Sequence, residues 1–274
     1  MRFTIALQAL ERNTVLPINY QYPLSSWIYR TLEQGDRELA DFLHEEGYSD
    51  DSHRRFKFYS FSELRTSGAR VQGDRLILTR PEVRFSIGFL ANRAAQTMVM
   101  GLFRQAEPFW LGDKSYRGRF AVSAAEMQML PPLRDTADFF TTSPVVVSIG
   151  DLNPDGSPGK KFLSPFDEGF ETQFLGNLRQ KYAIARQHGL LEAADAEPAI
   201  GYTLLSHSAK EKRIDLLRGQ PGYTRVRGYK FRFRLQAPEP VLRLVMLAGV
   251  GEKNAMGFGA VEGGEVTNEN KGIG

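Results

Sequence analysis

Eleven residues near the C-terminus, Gly249-Val250-Gly251-Glu252-Lys253-Asn254-Ala255-Met256-Gly257-Phe258-Gly259, carry four glycines in the pattern G-x-G-x5-G-x-G. Glycine loses more backbone entropy on folding than any other residue, so this density implies a need for positive φ or very close backbone approach. Loops of this kind suit phosphates. They equally suit a tight connection between a helix and a strand with no ligand at all. A dinucleotide fingerprint follows a strand and opens a helix. Here the order is reversed, because residues 238–247 read as a capped amphipathic helix entering the loop and residues 258–262 as a short strand leaving it. A nucleotide P-loop is excluded too, since Lys253 is followed by Asn254 rather than by Ser or Thr and the glycine spacing differs.

The 274 residues, 42% of them hydrophobic, suffice for one large or two ordinary domains. Lys and Arg total 35 against 32 Asp and Glu, a formal net charge of +3, so a polyanion would have to be met by a local patch. The absence of cysteine excludes disulfides, thiolate metal sites and a Cys nucleophile, and it suits a reducing cytoplasm. The first residues have too short an apolar run for a signal peptide. The longest apolar stretch, residues 241–250, is interrupted by Arg243 and is too short to span a bilayer. A soluble cytoplasmic protein without membrane attachment is expected.

Phe3, Ile5 and Leu7 alternate with polar or small residues, which predicts a first strand. Leu24, Trp27, Ile28 and Leu32 then fall on one helical stripe with Tyr29 at its flank, where a half-buried core tyrosine is the plain reading. Residues 36–46 place Leu39, Phe42 and Leu43 on one face and stop at Gly47. His44 sits in that last turn, either as a cap or as a proton donor or acceptor near neutral pH. Strand patterns at 75–79 and 83–89, a helix at 92–105 and a closing strand region at 111–123 complete a βαββαβ unit. A second pass follows, with a strand in 142–149, a helix at 168–187, strands at 202–205, 213–217 and 223–236, and the helix and strand that flank the glycine loop. The predicted fold is α+β with two tandem ferredoxin-like domains, 1–125 and 139–264, a linker at 126–138 and a frayed tail at 265–274.

Arg225 and Arg227 occupy odd positions, whereas Lys230, Arg232 and Arg234 occupy even ones, with Tyr229, Phe231 and Phe233 between them. A β-bulge at Gly228 is predicted to bring the five cations onto one face. No acid lies between Asp215 and Glu239, so the sequence favours a phosphate-binding surface over a solvated face balanced by distant acids.

Read whole, G-V-G-E-K-N-A-M-G-F-G-A-V resembles the glycine-rich signature of the CRISPR-associated repeat-RNA-processing endoribonucleases, members of the repeat-associated mysterious protein superfamily. W-I-Y-R at 27–30 followed by L-H-E-E-G at 43–47 repeats the order in which that family places its active-site tyrosine and histidine, and K-F-Y-S-F-S at 57–62 resembles its lysine-bearing strand. The resemblance covers most of the chain. It implies two ferredoxin-like domains and cleavage of precursor CRISPR RNA with Tyr29, His44 and Lys57 as the catalytic group. Arg54 and Arg55 rival Lys57, and His53 is an alternative base. RNA cleavage without metal needs a base for the 2′-hydroxyl, an acid for the departing 5′-oxygen and a cation on the phosphorane. His44 would be the principal base or acid, Tyr29 would orient or assist, and Lys57 would stabilise charge, leaving a 2′,3′-cyclic phosphate and a 5′-hydroxyl. RNA contacts are expected from Arg225, Arg227, Lys230, Arg232, Arg234, Gly249, Gly251, Lys253, Gly257 and Gly259, with no metal and no cofactor. The expected partners are CRISPR repeat RNA and the CRISPR interference complex, met by a monomer or homodimer. A repeat-RNA binding protein without cleavage activity and a structural subunit of an interference complex remain the alternatives.

Overall fold

The computed structural model describes residues 1–50, 54–105, 107–152, 156–192, 197–216 and 223–265. His53 and the tail from residue 266 onward therefore lie outside the described residues.

Phe3, Ile5 and Leu7 are all buried, and strand Arg2–Ala9 runs through the middle of the first sheet. It pairs antiparallel with Arg117–Gln128 on one side and Glu82–Phe89 on the other, and Tyr59–Phe61 flanks the latter. Helices α1 (Gln21–Gly35), α2 (Arg37–Asp41) and α3 (Asn92–Arg104) complete this half. Trp27 of α1 and Met98 of α3 share one apolar cluster with Ile5 and Phe85 of the sheet. The second half repeats the plan. Its sheet holds Gly201–Leu204, Arg232–Gln236, Thr136–Thr141 and Val261–Glu265, with α4 (Phe170–Gln187) and α5 (Glu239–Ala248) as its helices. In each half the fourth, first, third and second of these strands lie side by side in that order, the ferredoxin-like arrangement.

Each half also inserts a hairpin between its second and third strands. In the first half Ala69–Gln72 pairs with Arg75–Leu78, which the sequence pattern alone does not separate from the main sheet. In the second half Lys210–Leu216 pairs with Thr224–Lys230. Strands Arg117–Gln128 and Thr136–Thr141 reach into the stretch expected as linker from either end.

The halves are bolted together beside the glycine loop. Arg2 donates to the Val261 carbonyl at 2.9 Å and pairs with Glu262 at 3.0 Å, and Arg65 reaches the same carboxylate at 3.1 Å. A β-carbon on Gly88 would fall 2.6 Å from the carbonyl oxygen of Leu247, so α5 lies directly against the backbone of the first sheet. That contact sets the loop following α5 over the first half.

Candidate active site

α2 leads into a single π-helical turn, Phe42–Glu46, closed by the Gly47 N–H donating to the Phe42 carbonyl at 2.7 Å. Such turns are rare and concentrate at functional sites. Leu43 is buried while His44 is exposed, and the imidazole lies 4.8 Å from the Tyr29 ring, centroid to centroid, at 48°. The Tyr29 hydroxyl donates to Asp41 Oδ1 at 3.0 Å. Burial, then the bond to Asp41 and the nearby carboxylates, raises the phenol pKa above its ordinary value, so Tyr29 stays protonated at neutral pH.

Lys57 approaches the same turn, its Nζ donating to the His44 carbonyl at 3.4 Å. Burial lowers its pKa. The residue after it, Phe58, has φ of 49°, a costly conformation for a bulky side chain. Its ring is buried and its carbonyl accepts from the Leu90 N–H at 3.0 Å, so the surroundings hold the kink that directs the chain here. Tyr29, His44, Lys57, Arg54 and Arg55 all line one cleft of about 800 Å³, which residues 251–256 and Lys160 also line. Among the described residues no three His, Asp or Glu side chains gather as a metal site.

The glycine loop supplies residues 251–256 of that lining. Gly249, Gly251, Gly257 and Gly259 have φ between 65° and 89°. A β-carbon on Gly259 would sit 1.9 Å from the Val250 carbonyl oxygen, and one on Gly251 2.4 Å from that of Val146. The loop crosses itself and its neighbour too closely for side chains there. Asn254 closes the neck, its amide nitrogen donating to the carbonyls of Val250 at 2.9 Å and Phe258 at 3.1 Å. Lys181 of α4, 1% exposed, donates to Asn254 Oδ1 and to the Gly249 carbonyl. Burial lowers the Lys181 pKa to about 7. Ser25 of α1 donates to the Ala255 carbonyl at 2.7 Å, tying the loop to the helix that carries Tyr29. Of the loop residues expected to meet RNA, Gly251 and Lys253 line the cleft, whereas a β-carbon on Gly257 would meet the buried Phe61 ring at 2.9 Å. The strand leaving the loop begins at Val261 rather than at Phe258, because the Ala260 N–H is taken by Ser143 Oγ.

Sequence reasoning assigns no function to Lys181 or to the Asn254 side chain. The available signal was a lysine three residues after Leu178 and next to Tyr182, on the inward stripe of α4.

The bulge expected at Gly228 is absent. The ladder from Lys210↔Lys230 to Leu216↔Thr224 runs without a register shift. What switches is the core that the strand faces: Val226 packs with Val146 and Ile214, whereas Tyr229, Phe231 and Phe233 join the main core of the second half. Gly228 is required by proximity, since its β-carbon would lie 2.9 Å from that of Pro144. Arg225 and Arg227 thus lie on the face opposite Lys230, and Arg232 and Arg234 belong to a separate strand. Acids from elsewhere in the fold also supply the balance that the local sequence lacks. Asp215 pairs with Arg225 at 2.8 Å, Glu211 with Arg227 at 3.7 Å, Glu63 with Lys230 at 2.7 Å and Asp138 with Arg234 at 2.6 Å. Arg232 has no carboxylate partner among the described residues.

Fold and cleft together define a tandem ferredoxin-like protein with a tyrosine, a histidine and three cations at the mouth of an interdomain cleft. Residues 15–117 match the family model described as CRISPR-associated protein Cas6, N-terminal, and residues 128–263 match CRISPR-associated protein Cas6, C-terminal. The chain belongs to the Cas6 family. It is 25% identical to the CRISPR-associated endoribonuclease Cas6 of Pyrococcus furiosus over 98% of this chain and 93% of that protein. The CRISPR-associated endoribonuclease Cas6 1 of Methanocaldococcus jannaschii is likewise 25% identical, over 98% of this chain and 95% of its own. The solved structure of a Cas6-related protein from Pyrococcus furiosus superposes with a TM-score of 0.77 at 21% identity, covering 98% of this chain and 99% of that one.

Proposed function

We propose that this chain cuts precursor CRISPR RNA within its repeats without a metal ion. The 2′-hydroxyl upstream of the scissile phosphate attacks phosphorus, its proton passing to a base as the bond to the 5′-oxygen breaks. The leaving oxygen takes a proton from an acid, and the products end in a 2′,3′-cyclic phosphate and a 5′-hydroxyl. His44 moves a proton at one of these two oxygens, Tyr29 orients the reacting group as a donor, and Lys57 meets the charge that builds on the phosphorane.

The observation that carries this reading is convergence: the Tyr29 and His44 rings lie 4.8 Å apart and Lys57 Nζ reaches the His44 backbone at 3.4 Å. The cleft has the size of an ordinary ligand site. Lys160, Gly251 and Lys253, which line the same cleft, would hold phosphates, and Arg225, Arg227, Lys230, Arg232 and Arg234 would add contacts further along, with Gly249, Gly257 and Gly259 shaping the loop. Arg54 and Arg55 stand in the same cleft and are direct rivals of Lys57 for the phosphorane. In this reading repeat RNA is the partner and its product passes to the CRISPR interference complex, in the cytoplasm, from a monomer or homodimer.

Incubation of repeat RNA with the protein in excess EDTA tests the proposal. Cleavage to a 5′-hydroxyl product is expected. RNA that is bound whole, or cut only after a divalent ion is restored, would overturn it.

A further inference from the structure

A second cavity, of about 710 Å³, lies on the other side of α1 and shares Tyr22, Ser26 and Arg30 with the cleft. These three residues are spaced four apart, so they form one ridge along the helix. The ridge is about 12 Å long at 1.5 Å per residue, and it is the boundary that the two cavities share. Beyond it stands Trp110, 48% exposed on strand Phe109–Gly112. Its neighbour Phe109 points the other way and stacks on the buried Trp27 at 4.7 Å, so the core does not need Trp110. The Arg117 guanidinium lies 4.7 Å from the Trp110 ring, fixing one face of the indole.

The groove holds Arg30, Lys114 and Arg117, none with a carboxylate partner among the described residues. Its three acids, Asp74, Asp113 and Asp215, are all engaged within the protein. The Asp113 carboxylate accepts from the Ser115 and Tyr116 N–H groups, both at 2.8 Å, and Asp215 is paired with Arg225. An exposed indole amid unpaired cations, continuous with a cleft that takes a phosphodiester, is the arrangement that binds single strands by base stacking and phosphate contact.

We infer that this groove is a subsite for the single-stranded RNA flanking the scissile phosphate, with Trp110 as the stacking platform and Arg30, Lys114 and Arg117 as its phosphate contacts. The inference rests on the reading of the chain as an RNA endonuclease. The groove supplies affinity for the flank and takes no part in the chemistry.

The chain has two tryptophans, and Trp27 is only 2% exposed, so quenching by added RNA reports on Trp110. An oligouridylate of about ten nucleotides should quench it. Trp110→Phe should abolish the signal and keep most of the affinity. Trp110→Ala should weaken binding of a repeat RNA extended by single strand on one side by roughly tenfold. It should leave unchanged the affinity for an RNA trimmed to the cleavage site and the cleavage rate at saturating RNA. Unquenched fluorescence, or equal affinity of Trp110→Ala and wild type for RNAs extended on either side, overturns the subsite while cleavage of the extended RNA still upholds the endonuclease. If wild type neither binds nor cuts any of these RNAs, the parent reading falls and the subsite with it.

Discussion

The side-chain nitrogen of Lys181 donates both to Asn254 Oδ1 and to the Gly249 carbonyl, so one buried amine of α4 holds the entrance and the middle of the glycine loop together. A neutral amine has two N–H groups for these two acceptors. Burial in the second half lowers the folded pKa from 10.5 to about 7, whereas the unfolded chain keeps the ordinary value. Between those two pH values the unfolded state binds the extra proton, so this group makes stability rise with pH across the window and adds no slope below it. Denaturant titrations of wild type and Lys181→Met over pH 7 to 10.5 should show that rise in wild type relative to the variant. A difference that is flat with pH would mean that the amine is charged in the fold.

His44→Ala should slow single-turnover cleavage by roughly a hundredfold or more while RNA affinity is nearly retained, as expected for a positioned acid or base. Tyr29→Phe removes the donor to Asp41 and should slow the step by less. An unaltered rate in His44→Ala would move the proton transfer to another group.

Three cations compete for the phosphorane. Lys57→Ala should cost on the order of a hundredfold in the single-turnover rate, the usual loss for one transition-state donor, and should exceed the cost of Arg54→Ala or Arg55→Ala. Arg54 is already bonded to Gln180 at 2.8 Å and Arg55 to the Glu45 carbonyl, on the exposed rim. A larger loss in either arginine variant would reassign the role.

Among the basic-strand residues, Arg232 should show the clearest salt effect, because the other four are tied to carboxylates. Arg232→Ala should reduce the slope of log affinity against log salt by about 0.7, the value for one phosphate contact on a single strand. Filter binding across a salt series reads it, and an unchanged slope would make Arg232 a solvated surface residue.

The repeated ferredoxin-like plan was legible because its central strands and helices carry clean periodicities: Phe3, Ile5 and Leu7 at two, and Leu24, Trp27, Ile28 and Leu32 at helical spacing. The order of Tyr29, His44 and Lys57 was legible through family likeness, and their proximity depends on a π turn that no periodicity announces. Two things escaped. The basic strand's alternation changes sense near Gly228, which local reasoning explains by a bulge. The chain instead keeps its register and passes from one core to another, a tertiary event. The ion pairs at Glu63 and Asp138 escaped for the same reason, since those acids lie far away in sequence.

The measurement that tests the central claim most directly uses repeat RNA in which the 2′-hydroxyl just upstream of the scissile phosphate is replaced by hydrogen. No placement of His44, Tyr29 or Lys57 can supply that nucleophile. Binding should hardly change, because the remaining phosphates and bases keep their contacts. Complete loss of cleavage at that bond, with binding intact, is the predicted result; continued cutting of the deoxy substrate at the same bond would make water the nucleophile and contradict the account.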